Sequence, residues 1–360
     1  DLFLILLEDK TPKNYDRVKR VFDQHLGLHT VCITADKFQK RSNGGVQFAG
    51  VQQMVLSNLA LKVNSKLKGQ NHHLRDRSNK SSFRDIEQDT IVLGADVAHA
   101  PNQMTNCPSI AAVVGNTDKG FANFPGSMRL QASHQETIEE LQAMVYERVK
   151  AYTIATCALP KRIIFYRDGV GEDQFKIVRE QEIRQVYAAF DTFRDEMKTH
   201  DMPGRHALKL DLTFIVVGKR HNTRFFCRNE TQTNKSSTGQ PSSTSKLLQS
   251  TDRRGQPKNQ YSDLHNGNPK PGLLVDSIIT RPTLTNDATY DFFLQSHEAL
   301  QGTAKSGHYT VLLPGTLSTT QIQNLTHAFC YNYTRATKGV SYVGPAYYAD
   351  RLCERGSAYL

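Results

Sequence analysis

The sequence predicts an α/β fold, a mixed sheet flanked by helices with carboxylates at the ends of two central strands. Two stretches carry that prediction. Ile91-Val92-Leu93-Gly94-Ala95-Asp96 is an apolar, β-branched run that ends in an acid, and Ile163-Ile164-Phe165-Tyr166-Arg167-Asp168 repeats the pattern. Such runs read as strands buried on both faces. An unpaired charge inside a buried strand is costly, so Asp96 and Asp168 are expected where a strand ends and meets a site. Two aspartates so placed are the usual beginning of a two-metal phosphoryl-transfer centre. The plainer reading is a capping or turn aspartate, above all for Asp168-Gly169.

The remaining elements follow in order. Residues 2–7 read as a strand, and Thr11-Pro12-Lys13-Asn14 as a helix start with Asn14 as cap. Apolar positions 18, 21, 22 and 26 keep helical spacing until Gly27. A short strand over 30–34, a turn at Ser42-Asn43-Gly44-Gly45 and a helix over about 51–67 come next. Residues 69–87 are polar and aperiodic, and read as a linker between two domains, 1–85 and 86–360. Beyond the Asp96 strand, a strand is expected at 110–114 and a long helix from Ser133 through Leu141, Val145 and Val149. The Asp168 strand, a helix over about 173–198 and a strand at 212–217 follow. The Ser-, Thr-, Asn- and Gln-rich stretch 228–272 reads as a long mobile surface loop. Strands at 273–279 and 309–313 and helices at 318–333 and 346–355 complete the chain.

With 360 residues, 38% apolar and 22% charged, the chain can bury a sizeable core. Its net charge of +10 points to a polyanionic partner, nucleic acid before membrane. The six cysteines form no C-x-x-C pair, which argues against a zinc ribbon and for reduced thiols in an intracellular setting. No apolar run approaches bilayer length and no signal peptide is read. Beginning in a core strand, the chain looks cut from a longer one.

Four further groups carry chemistry. Asp350 lies early on the last helix, where the plainer reading is a dipole-complementing acid. Ser133-His134-Gln135-Glu136 fits a capping box, with Glu136 at its third helical position; the glutamate could cap in one state and join a site in another. Tyr15 and Lys19 share one helix face, as do Asn58, Lys62 and Lys66 on a second helix. A tyrosine ring among lysines can stack on a terminal base and bind its phosphate; the alternative is a solvated lysine face. Lys219, Arg220 and Arg224 follow a core strand and suit phosphate-backbone contacts, or else a basic surface turn. His99 reads as a packed or surface histidine rather than a metal neighbour.

Gly94-Ala95-Asp96-Val97-Ala98-His99, Tyr166-Arg167-Asp168-Gly169-Val170, Lys219-Arg220-His221-Asn222-Thr223-Arg224 and Pro345-Ala346-Tyr347-Tyr348-Ala349-Asp350 together resemble the PIWI domain of eukaryotic Argonaute proteins. Lys10-Thr11-Pro12, Tyr15, Val18-Lys19-Arg20 and Leu56-Ser57-Asn58-Leu59-Ala60-Leu61-Lys62-Val63-Asn64 resemble the second half of the MID domain. The resemblance implies an RNase H-like PIWI domain preceded by part of a Rossmann-like MID domain. It implies a small guide RNA held by its 5′-phosphate and a complementary target RNA cut to leave a 3′-hydroxyl and a 5′-phosphate. Asp96, Asp168 and Asp350 would hold two Mg²⁺ ions, with Mn²⁺ as a substitute, and Glu136 would complete a tetrad. Tyr15 would stack on the first guide base, and Lys19, Lys62, Lys66 and Arg355 would bind the 5′-phosphate.

Many animal members have histidine where this chain has Asp350, and an oxygen ligand suits magnesium well. Val31 stands where many members carry a phosphate-binding glutamine. The family's alternative mode is a non-cleaving guide-binding module that recruits partners, among them tryptophan-bearing proteins. No membrane partner is implied. The expected location is the cytoplasm, with the nucleus as second compartment.

Overall fold

The computed structural model describes residues 1–9, 11–42, 45–48, 53–74, 86, 89–100, 107–199, 209–226, 268–281, 289–299 and 302–360. The N-terminal segment builds a two-stranded parallel sheet from β1 (Leu2–Leu7) and β2 (His29–Thr34), joined by helix α1 (Pro12–Lys19) and a wider π-type turn, Arg20–His25. Pro12 opens α1 where its missing N–H costs nothing. The residue at the N-cap is Thr11 rather than Asn14, which lies inside the first turn. Gly27 ends the segment at φ +64°, as expected. A hairpin of β3 (Gln39–Ser42) and β4 (Gly45–Phe48) was not predicted, and the middle of the expected turn, residues 43 and 44, lies outside the described residues. Helix α2 (Gln53–Lys66) falls within the predicted span.

The larger body is an eight-stranded sheet. Its strands are β5 (Thr90–Ala98), β6 (Ser109–Gly115), β7 (Gly126–Gln131), β8 (Arg162–Asp168), β9 (Asp211–Gly218), β10 (Leu273–Val275), β11 (Tyr290–Gln295) and β12 (Gly307–Leu313). They lie in the order β10-β11-β12-β9-β8-β5-β6-β7. The three central strands β5, β8 and β9 are parallel to one another, and the flanking pairs are antiparallel. Strands β7 and β11 were missed, and the expected strand over 273–279 stops at Val275. The polar edge strand Gly126–Gln131 lacks the apolar run that marks a buried strand.

Helices cover both faces, which is what strands buried on both sides require. Helix α3 (Leu141–Thr156) and helix α4 (Phe175–Thr199) cover one face. Leu141, Met144, Val145, Val149 and Tyr152 form the buried stripe of α3, at the spacing of one helix face. Helices α5 (Thr319–Phe329) and α6 (Gly344–Ser357) lie on the other. The capping box expected at Ser133/Glu136 is absent: α3 starts eight residues later, at Leu141, and His134 has φ +60°. The true box is Ser318/Gln321, at the start of α5. Residues 227–267, most of the predicted loop, lie outside the described residues. Asn268 is buried and tied by its side chain to Gly302 O and Ala304 N, so the loop's last residues belong to the packed body.

Strand alternation decides which side chains meet. Ile91, Leu93 and Ala95 face the α3/α4 side, and Val92 faces the α5/α6 side. Gly94 and Asp96 therefore face α6. On β8, Tyr166 and Asp168 share that side, and Arg167 points to α4.

Candidate active site

The two central acids lie where the sequence places them, with one adjustment. Asp168 is the last residue of β8, but Asp96 is two residues inside the end of β5. Both line a cleft of about 660 Å³ together with His99, Glu136, Lys219, His308 and Asp350. Asp350 comes from α6. Gly94 lets that helix come close: a Cβ there would lie 2.2 Å from the carbonyl of Pro345. Gly169, at φ +91°, turns the chain after Asp168; a Cβ on it would meet Glu136 Oε1 at 3.2 Å and Asp96 Oδ1 at 3.3 Å. Four carboxylates from β5, β8, α6 and the loop before α3 thus converge.

Glu136 is held in the cleft by named partners. His99 Nε2 lies 2.9 Å from Glu136 Oε2, and the other ring nitrogen of His99 lies 2.8 Å from Ser109 Oγ. Arg167, fully buried, donates to Glu136 Oε1 at 3.3 Å and also to the Glu136 carbonyl. Its Nε donates to the equally buried Glu182 at 3.1 Å. Glu182 Oε1 in turn accepts from the Ile138 backbone at 3.1 Å. Arg167 and Glu182 are the members that sequence reasoning passed over, and His99, read there as a packed or surface histidine, instead lines the cleft on Glu136. An arginine inside an apolar strand beside an aspartate is an anomaly that called for a buried partner; nothing local marks Glu182.

Charge is poorly balanced at the centre. Burial, and then the neighbouring Asp168, push the Asp96 carboxyl up to about 7. Burial also raises Asp168, against the opposing effect of Lys219. Asp168 Oδ2 is buried and receives no aligned hydrogen bond, although Lys219 Nζ approaches to 2.8 Å as an ion pair. Four carboxylates facing one cleft with too little positive charge to balance them fit a hard divalent cation such as Mg²⁺. As they stand, the carboxylates do not close on one point: among the described residues no three His, Cys, Asp or Glu side chains form a ready-made metal cage.

A second cluster joins the two parts of the chain. Tyr15 lies within 5.6 Å of Lys19 Nζ and 5.8 Å of the Arg355 guanidinium, measured to its ring centre. Lys62 and Lys66 share that electropositive neighbourhood. Burial pushes each down to about 8, helped by Arg335 at Lys62 and by Arg355 at Lys66. Lys62 and Asn58 line a groove with Tyr333, Arg335, Tyr347 and Arg351. Arg335 is a cation that the sequence reading missed, because it stands in an aperiodic stretch. Lys19 is turned inward, donating to Thr30 O at 3.0 Å, and Val31 is fully buried. Arg355 bonds Asp23 across the two parts of the chain.

The predicted basic turn divides. Lys219 points into the cleft, Arg220 is exposed, and Arg224 is turned back on the carbonyls of His221 and Thr223.

The Piwi domain family profile matches residues 2–360. The chain belongs to the Piwi domain family. Its fold is the RNase H-like fold of that family, a mixed eight-stranded sheet flanked by helices. It superposes on Kluyveromyces polysporus Argonaute, solved with a guide RNA, with a TM-score of 0.76 and 28% identity over 99% of this chain and 35% of that one. The C-terminal lobe of a budding yeast Argonaute gives 0.76 and 29% over 99% and 63%. Drosophila Piwi gives 0.67 and 22% over 98% and 39%, a likeness of fold alone. This Piwi chain thus spans less than two thirds of the length of these proteins. No helix among its described residues is long and apolar enough to cross a membrane.

Proposed function

We propose that this Piwi chain is the catalytic and 5′-end-binding part of a small-RNA-guided endoribonuclease. The observation that carries the reading is the convergence of Asp96, Asp168, Asp350 and Glu136 in one cleft, with Glu136 already held by Arg167 and His99. Asp96, Asp168 and Asp350 would hold the magnesium ions. When bound, magnesium supplies Lewis-acid charge stabilisation and makes water a competent nucleophile near neutral pH. Glu136 is the remaining carboxylate, placed to accept a proton or to orient water at the scissile phosphodiester. The Arg167–Glu182 pair prevents its loop from swinging out.

Tyr15, Lys62, Lys66, Arg335 and Arg355 would take the 5′-terminal base and phosphate of the guide. The similar K. polysporus Argonaute was solved with a guide RNA, which supports a guide RNA as the ligand. Residues 1–85 would act as the MID part and 86–360 as the PIWI part. Arg220 would meet the nucleic-acid backbone, and partners presenting tryptophan would dock elsewhere on the surface.

The test loads wild type, Asp96→Ala and Asp168→Ala with a 5′-phosphorylated guide and follows a labelled complementary RNA with Mg²⁺ or EDTA. One Mg²⁺-dependent cut is expected in wild type, with a loss of at least about a thousandfold in each variant and guide affinity unchanged. Guide binding with no cut in wild type would instead leave the non-cleaving module, or a part that cuts only within a longer chain.

A further inference from the structure

Lys219 follows the end of β9 and reaches into the acidic cleft. Its ammonium nitrogen lies 2.8 Å from Asp168 Oδ2 and 3.6 Å from the centre of the Tyr342 ring. Tyr342 is buried, and its hydroxyl donates to Asp350 Oδ2 at 3.1 Å. One tyrosine therefore offers its π face to the cation on one carboxylate and its O–H to another carboxylate. The ring is itself fixed: it stacks on Tyr347 at 4.8 Å and 26°, and Tyr347 lies 4.6 Å from Tyr333. A cation over an aromatic face is attracted by the ring quadrupole, the more so away from water. Arg220, the next residue, is exposed, so the turn does not need Lys219 to present a positive charge to nucleic acid.

We propose, resting on the metal-dependent reading above, that Lys219 is the resident counter-ion of the acidic centre and Tyr342 the positioning residue that holds it. The ammonium neutralises Asp168 in the metal-free protein and must withdraw from Oδ2 before a divalent cation can use that oxygen. Tyr342 holds Asp350 in orientation throughout. The arrangement raises the divalent-ion concentration at which the centre fills, because two positive charges cannot share one carboxylate oxygen without strong repulsion.

Mn²⁺ is the probe, read by calorimetric titration and by the shift in unfolding midpoint of the full chain, without RNA. Lys219→Met is expected to bind Mn²⁺ about tenfold tighter than wild type, with a larger midpoint shift. Lys219→Arg, which keeps the charge, is expected to restore wild-type affinity. Tyr342→Phe keeps the ring face and removes the O–H, and is expected to weaken Mn²⁺ binding about fivefold. Binding detectable in Lys219→Met alone would support the proposal most strongly. Equal or weaker binding by Lys219→Met than by wild type would overturn it, and unchanged binding by Tyr342→Phe would remove the Tyr342–Asp350 bond from it, leaving only the ring's contact with Lys219. Asp168→Asn separates the two levels: Mn²⁺ binding indifferent to that change would overturn the metal-centre reading itself. If Lys219→Met destabilises the metal-free protein, calorimetry well below the transition still gives the affinity ratio.

Discussion

At the scale of single residues, the lysines of the second cluster make the sharpest prediction. Lys62 and Lys66 titrate near 8 because burial and neighbouring cations disfavour their charged forms. They bind a phosphate dianion only while charged, so affinity for a 5′-phosphorylated RNA should fall as pH rises through about 8. A loss of about tenfold between pH 7 and pH 9 is expected by fluorescence anisotropy, with a 5′-hydroxyl RNA much less affected. Linkage gives the opposite sign for unliganded stability. The unfolded chain binds more protons at these two positions between about pH 8 and the ordinary lysine range, so their contribution to stability rises with pH there. A phosphate-dependent affinity that stayed flat across pH 8 would remove these lysines from the phosphate site.

At the scale of elements, the decisive contact is β5 against α6. Gly94 is the reason the helix carrying Asp350 can lie on the strand carrying Asp96. Gly94→Ala would drive a methyl group into the backbone of Pro345 and Ala346, which cannot rotate away. A loss of roughly 3 kcal/mol in stability is expected by denaturant titration. Cleavage should be lost as well, since Asp350 moves with its helix, whereas binding at Tyr15 should suffer less. The missed elements show what local patterns omit. An edge strand such as β7 earns its place from pairing with β6, not from its own sequence. The pattern at Ser133 matched a capping box, but the helix begins only at Leu141, and Glu136 bonds Arg167 and His99 instead.

At the scale of the whole molecule, the second cluster is built from both parts of the chain: α1 and α2 on one side, Arg335 and Arg355 on the other. The Arg355–Asp23 and Tyr359–Asp23 bonds already join them, and Asn71 bridges Leu61 O and Thr334 O at 2.8 Å each. A 5′-phosphorylated RNA should therefore stabilise both parts together. At a hundred times its Kd it should add about 2.7 kcal/mol and sharpen unfolding into one transition, seen by calorimetry. Lys62→Glu with Lys66→Glu should abolish the shift. Two transitions moving independently would show that ligand binding does not couple the parts.

The sequence by itself determined the strand identities of 91–96 and 163–168, the two acids they carry, and the basic, aromatic helix faces near the N-terminus. These are local properties, visible as apolar runs and residue spacings. Only the tertiary structure decided that Asp96 lies inside its strand, that Glu136 enters the cleft instead of capping a helix, and that Lys219 lies on Asp168 rather than toward solvent. The reason is separation along the chain: Arg167 meets Glu136 across 31 residues and Arg355 meets Asp23 across 332. Contacts of that reach exist only once the chain has folded and brought distant elements together.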